Sequence, residues 1–204
     1  MPRREEPWKP TRAQLEAART KTVRDVIAPG LHVLFVGINP GLYTAAVGHH
    51  FARPGNRFWK TLHASGFTEE LLSPFDESEL LKDKIGITNL VARTTPTADE
   101  LSREELRAGA RALERKIRRY KPRTVAFLGL GAYRTGFEKP RAVVGIQTER
   151  VGGATTWVLP NPSGLNANYQ LPELARLFRE LRVSSSASRS RIRVSRPSKR
   201  RSRS

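Results

Sequence analysis

At 204 residues and 38% hydrophobic content, the chain is long enough for one domain with a full-sized core. It contains no cysteine, which excludes disulfides, thiolate nucleophiles and cysteine-ligated zinc or iron–sulfur centres. Lys and Arg outnumber Asp and Glu by 37 to 19, a formal net charge of +18, and so basic a chain points to a polyanionic partner, nucleic acid first.

Residues 1–10, MPRREEPWKP, are charged and proline-rich with no apolar stretch, so they read as a loose leader rather than a secretory signal. TRAQLEAARTKTVRDVIAP (11–29) predicts a helix, with Thr11 as N-cap and Pro29 as its stop. LHVLFVG (31–37) is apolar nearly throughout, the pattern of a strand covered on both faces. It delivers a lone polar residue, Asn39, into a Gly-Pro-Gly frame. Residues 40–52 read as a long loop of glycine and small residues. NRFWKTLHASG (56–66) predicts a helix with Phe58, Trp59 and Leu62 on its core side, closed by Gly66. A short helix over 77–83 and a strand, IGITNLV (85–91), follow.

Within 97–122, Ser102 and Glu105 form a capping box and Pro122 ends the helix. TVAFLG (124–129) is a third strand, leading to a helix at GAYRTGF (131–137). AVVGIQTERVGG (142–153) and TTWVLPNPSG (155–164) read as further strands, and LPELARLFRELR (171–182) as the last helix. The alternation predicts an α/β fold, a three-layer sandwich with a central, mainly parallel sheet flanked by helices. No apolar run approaches membrane-spanning length, so a soluble intracellular protein is expected.

From Val183 the composition turns to Ser and Arg. Arg189, Arg191, Arg193, Arg196, Lys199, Arg200, Arg201 and Arg203 stand there without an acid, and disorder is expected. Setting these eight aside leaves about +10 on residues 1–182. The expected organisation is thus an extension and leading helix (1–26), one domain (27–182) and a basic tail (183–204). The tail would add phosphate contacts but no base readout.

Ligands of such sheets bind beyond the carboxyl ends of the strands. Four loops are expected there: 38–51, 92–96, 129–136 and 161–168, the first and last sharing NPG and NPSG. GLGAYRTG (129–136) imitates a dinucleotide loop, but its third glycine falls too late for G-x-G-x-x-G, and tight helix–strand packing explains it better. His49 and His50 are adjacent, point in different directions and lack a third ligand, so no metal is expected. Ser163 lacks the G-x-S-x-G elbow and a following His–acid pair, which argues against a serine hydrolase. Phe51, in the first loop, either stacks on a base or plugs the core.

GINPG, FARPGNRFWK, GITNLVARTTP and VLPNPSGL, in this order and spacing, resemble the mismatch-specific uracil-DNA glycosylases, the Mug/thymine-DNA glycosylase branch of the uracil-DNA glycosylase superfamily. The resemblance runs from about Ile27 to Arg182. It implies an α/β sandwich on a four-stranded, mainly parallel sheet. It implies a monofunctional enzyme that flips and excises uracil, and in some members damaged pyrimidines or thymine, opposite guanine in double-stranded DNA.

By the same resemblance, Asn39 is the catalytic residue that positions the attacking water. Ile38, Gly41, Thr44, Phe51 and Asn89 form the substrate pocket: Ile38 lines it with backbone, Gly41 is small where classical relatives carry a tyrosine, and Phe51 stacks on the flipped base. Leu165 is the wedge that fills the vacated stack, Gly164 and Asn166 flank it, and Ser163 lies near the phosphates. No cofactor is implied. The partners are DNA carrying mismatched or damaged bases and the repair enzymes that handle abasic sites, and the protein is a monomer, nucleoid-associated in the cytoplasm if bacterial.

The chemistry agrees with these residue types. A base must leave the stack before its glycosidic bond is reached, most easily at a mismatch. Cleavage through an oxocarbenium-like state needs a well-placed water more than a strong base, so an amide without a useful pKa suffices, at some loss of speed. Two positions depart from the family pattern: Ala92 stands where an acid usually follows LV, and Ala167, after the wedge, is not basic. Loss of the acid keeps a second reading open, a non-catalytic DNA mismatch- or damage-binding protein of the same fold.

Overall fold

The computed structural model describes residues 9–193, with side chains to residue 186. Its centre is a five-stranded sheet of β1 (Val33–Gly37), β2 (Ile85–Asn89), β3 (Thr124–Leu128), β4 (Gly145–Ile146) and β5 (Thr155–Leu159), in the order β2-β1-β3-β5-β4. β1 pairs in parallel with both β2 and β3, β3 in parallel with β5, and only β4 runs antiparallel. The expected parallel α/β sandwich is therefore present, with a fifth strand added to the four implied.

β1 is buried at every residue, and its side chains alternate between two cores, as the pleat requires. Val33 and Phe35 enter one core with α3 (Phe58–Ala64) and α6 (Leu171–Arg193); Leu34 and Val36 enter the other with α4 (Arg103–Tyr120) and α5 (Leu130–Gly136). Phe35 stacks on Phe178 at 5.4 Å between ring centroids and meets Phe58 edge-on at 5.4 Å. Truncating it to Ala would cost ~3–5 kcal/mol. The capping box of α4 forms as expected, with Glu105 N–H on Ser102 Oγ at 3.1 Å and Ser102 N–H on the Glu105 carboxylate at 2.9 Å.

Four local expectations are corrected. The leading helix is cut short: Thr11 does cap α1 (Arg12–Ala17), with Gln14 completing a capping box, but a 3-10 turn over Ala18–Thr20 ends it nine residues before Pro29. Beyond it the chain is drawn into the sheet edge. Val26 exchanges two backbone hydrogen bonds with Ile87 (2.9 and 2.8 Å), while Asp25 accepts from Thr88 Oγ1 and Lys116 Nζ. The loop 40–52 contains a helix, α2 (Leu42–Val47), stopped by Gly48 at φ 84°, a left-handed cap that suits glycine.

The strand expected over 142–153 shrinks to the two residues of β4, its neighbours being turns around Lys139 and Gly152. Lastly, α6 continues to Arg193, into the segment expected to lack structure. Docking of Leu174, Phe178 and Leu181, all fully buried, has already nucleated the helix, and adding residues to a formed helix is far easier than starting one. Residues 194–204 of the expected tail lie outside the described residues. Among the described residues no helix is long and apolar enough to cross a membrane.

Candidate active site

The ladder between β1 and β2 does not stop with the strands. Leu90 N–H donates to Gly37 O at 2.8 Å, Val91 N–H to Ile38 O at 2.9 Å and Thr95 N–H to Pro40 O at 3.2 Å, and Gly41 bridges Thr95. The first two loops at the carboxyl edge are therefore zipped together, and Asn39 lies in the seam. Its Nδ2 donates to Arg93 O at 2.9 Å and to Thr95 Oγ1 at 2.7 Å, with a longer 3.3 Å approach to Pro40 O. Thr95, 1% exposed, passes its own hydroxyl proton to Thr97 O at 2.6 Å.

This arrangement fixes the amide. Both N–H groups are committed to acceptors that only a nitrogen can satisfy, so Oδ1 is the atom left to accept a hydrogen bond. None of the three partners is a carboxylate. Thr95 is the residue that sequence reasoning missed; the only signal was three threonines in RTTPT immediately after the strand. Ala92 is exposed and contributes a methyl group. Its neighbour Arg93 is held by Glu105 at 2.6 Å; that guanidinium, with Ser102 N–H, pulls the Glu105 carboxyl down to about 2.

Gly37, Asn89 and Phe51 meet beside Asn39. A Cβ on Gly37 would stand 2.6 Å from Asn89 Oδ1 and 3.4 Å from the Phe51 ring, so glycine is what lets the three converge. Phe51 has a left-handed backbone (φ 56°), and its ring stacks on Phe58 at 4.1 Å between centroids. The core contact expected as one reading of Phe51 is thus present, and the ring also borders the mouth of β1. Ile38 turns its side chain onto Gly129, where a Cβ would come within 2.9 Å. That contact, with Gly136 pressed on α4, accounts for Gly129 and Gly136 as packing, whereas Gly131 meets open space.

Gly41 caps α2 with nothing within 4 Å of where its Cβ would be; Thr44 is buried in the same helix. His49 and His50 both turn their Nδ1 to Glu77, at 2.9 and 3.0 Å, and His50 N–H adds a third bond at 2.8 Å. Burial alone would raise the Glu77 carboxyl, but the His50 and His49 hydrogen bonds outweigh it and hold it below the usual carboxylate range. His50 is 1% exposed, and its carbonyl accepts from Trp59 Nε1 at 3.2 Å. The pair is thus a clamp on the residues before Phe51. Among the described residues no group of three or more His, Cys, Asp or Glu is placed to hold a metal ion.

The loop after β5 lies beside these residues. Arg57, at the start of α3, aims its guanidinium into it: Nη1 donates to Tyr169 O (2.7 Å) and Gln170 Oε1 (3.1 Å), and Nη2 to Ser163 O (2.5 Å) and Asn166 O (2.7 Å). Arg57 N–H also donates to Pro162 O. Asn161 accepts from Ser163 N–H, and its carbonyl from Asn166 Nδ2; Ser163 Oγ accepts from Leu165 N–H at 3.3 Å. Gly164 sits against Gly55, where a Cβ would be 2.7 Å from the carbonyl oxygen.

Amid this bonded frame Leu165 is 69% exposed, an apolar side chain held out to solvent. Ala167 is exposed too. At the far end of α3, Arg179 and Arg182 of α6 donate to Ala64 O and Ser65 O, at 3.0 and 3.1 Å, so arginines tie α3 to the loop at one end and to α6 at the other. Phe51 is thus linked to the loop of Ser163, Gly164 and Leu165 through its stacking partner Phe58 and the adjoining Arg57.

Residues 24–182 match the sequence profile of the uracil DNA glycosylase superfamily. The fold is similar to the solution NMR structure of a candidate uracil DNA glycosylase from Methanosarcina acetivorans. The TM-score is 0.54 at 19% sequence identity, over 79% of this chain and 98% of that one.

Proposed function

Since the chain belongs to the uracil DNA glycosylase superfamily, we propose that it is a monofunctional DNA glycosylase that flips uracil out of G:U pairs in duplex DNA and hydrolyses its N-glycosidic bond. The observation that carries this reading is the anchored amide of Asn39, with both N–H groups committed and Oδ1 left for a water. Bond breaking leads: the sugar gains oxocarbenium character and uracil departs as a stabilised anion. The water then needs position more than deprotonation, which suits an amide and the absence of a carboxylate among Asn39's partners.

Phe51 offers a ring beside Asn89, a surface on which a flipped pyrimidine stacks while the Asn89 amide reads its edge. Leu165, exposed on a loop braced by Arg57, suits the role of a wedge entering the vacated stack. The open space at Gly41 supports tolerance of substituted pyrimidines, damaged bases and thymine among them. The discriminating experiment uses purified protein with duplexes containing one G:U, A:U or G:T pair. Abasic sites on G:U at stoichiometric enzyme are expected; their absence refutes the proposal. Retarded migration on a gel without abasic product would instead favour a non-catalytic mismatch-binding protein, the reading that the methyl group at Ala92 keeps in play.

A further inference from the structure

Most of the net positive charge of the folded chain lies away from the crevice. Of the cations on its loops, Arg57 and Arg134 are turned onto carbonyls and Arg93 pairs with Glu105; Arg53 is exposed beside Phe51, and the loop 160–168 has none. By contrast, residues 103–123 hold nine Lys and Arg against three Glu, a net +6, more than half of the about +10 of residues 1–182.

That charge has a direction. The buried stripe of α4 is Ala110, Leu113 and Ile117, which places Arg111, Arg115 and Arg119 around the opposite pole at i, i+4, i+8 spacing. All three are exposed and pair with no carboxylate among the described residues, whereas Arg107, Lys116 and Arg118 engage Glu138, Asp25 and Glu114. The same outer stripe begins with Glu104 and Ala108, so its cations are confined to the later part of the helix.

α4 starts on the crevice side, after β2, and ends where Tyr120 O accepts from Gly30 N–H and Arg123 N–H donates to Leu31 O, at the entrance to β1. At 1.5 Å per residue, Arg111 lies about 12 Å and Arg119 about 24 Å down the flank from Arg103. A duplex crossing the carboxyl edge of the sheet would have to bend sharply to follow that flank as well, and bending DNA by about 40–90° within about 20–30 base pairs carries an elastic cost. We infer that the outer face of α4, through Arg111, Arg115 and Arg119, is a second phosphate-binding surface that engages a segment of duplex DNA other than the one in the crevice. Guanidinium groups suit it, since they take phosphate oxygens in pairs.

The test is a bridging assay with the full-length chain and R111Q/R115Q/R119Q. A short G:U duplex is fixed to beads, and capture of a second, fluorescent duplex by the bead-bound protein is measured. The wild type is expected to bridge. The variant is expected to bridge much more weakly, with the salt dependence of the remaining capture flatter by about 2.7 in log–log slope, the release expected for three phosphates, and to bind the short duplex within about two-fold of wild type. Capture undiminished in the variant overturns the inference, as does equal loss of short-duplex binding, which would put these arginines in the crevice footprint. The inference rests on DNA as the partner, not on excision: abasic product is scored separately, so bridging without product would sink the catalytic reading alone.

Discussion

Asn39 and Thr95 stand 56 residues apart in the chain, and the amide nitrogen of one donates to the hydroxyl of the other at 2.7 Å. Because the hydroxyl proton is itself committed to Thr97 O, Thr95 can only accept from Asn39, so the bond has one polarity. Thr95→Val keeps the shape and removes the acceptor. Leaving a buried N–H unpaired costs ~1–3 kcal/mol, and lost amide orientation should lower single-turnover excision by about 10- to 100-fold. Thr95→Ser should restore most of the rate. Equal rates in the valine and serine variants would show that the hydroxyl plays no part.

Arg57 gathers four acceptors of the 163–170 loop. Lysine presents a point charge without the planar fork, so Arg57→Lys should loosen the loop and leave carbonyls unpaired. The expected outcome is a lower Tm together with loss of the fluorescence rise of a 2-aminopurine placed beside uracil, which reports unstacking. Leu165→Ala should lose the same rise with Tm essentially unchanged, because that side chain is mostly exposed. Normal unstacking by both variants would remove this loop from base flipping.

Gly37 has no room for a methyl group, with Asn89 Oδ1 2.6 Å from the position of its Cβ. Gly37→Ala should push Asn89 and Phe51 aside and raise KM for G:U duplex at least as much as it lowers kcat. The paired variant Gly41→Ala, which meets open space, should behave like wild type on uracil. A Gly37→Ala enzyme with unaltered steady-state kinetics would show that the three residues do not form the base pocket.

The Glu77 carboxyl is depressed by its histidine contacts against the opposing effect of burial. A depressed carboxyl stabilises the fold fully above its unfolded value, near 4.5, and loses that contribution as pH falls through the lower folded value. Tm measured from about pH 7 to about pH 3 should therefore fall more steeply below about 4.5 in wild type than in Glu77→Gln. Parallel curves would show that the clamp contributes nothing acid-sensitive.

What the sequence makes legible is what neighbours decide. The capping box at Ser102 and Glu105 spans three residues, and the burial of β1 follows from its own composition. The place of Asn39 at a strand mouth follows from the strand before it. What stays hidden depends on distant partners. The helix begun at Arg12 stops because Val26 pairs with Ile87, 61 residues on, and Thr95 acquires its role only when the loops after β1 and β2 zip together. α2 is concealed in a stretch that reads as a glycine-rich loop, and the docking that prolongs α6 lies in the core.

The arginines that tie α3 to the 163–170 loop at one end and to α6 at the other also bear on who would yield if Leu165 is the proposed wedge. With its loop braced by Arg57 on a helix that is itself tied to α6, the protein would have little compliance to offer, and under the proposed reading the deformation falls on the DNA. Opening then succeeds according to how weakly the partner strand grips the base in question. On this account discrimination begins as a mechanical test of each pair, before any group in the pocket has touched a uracil.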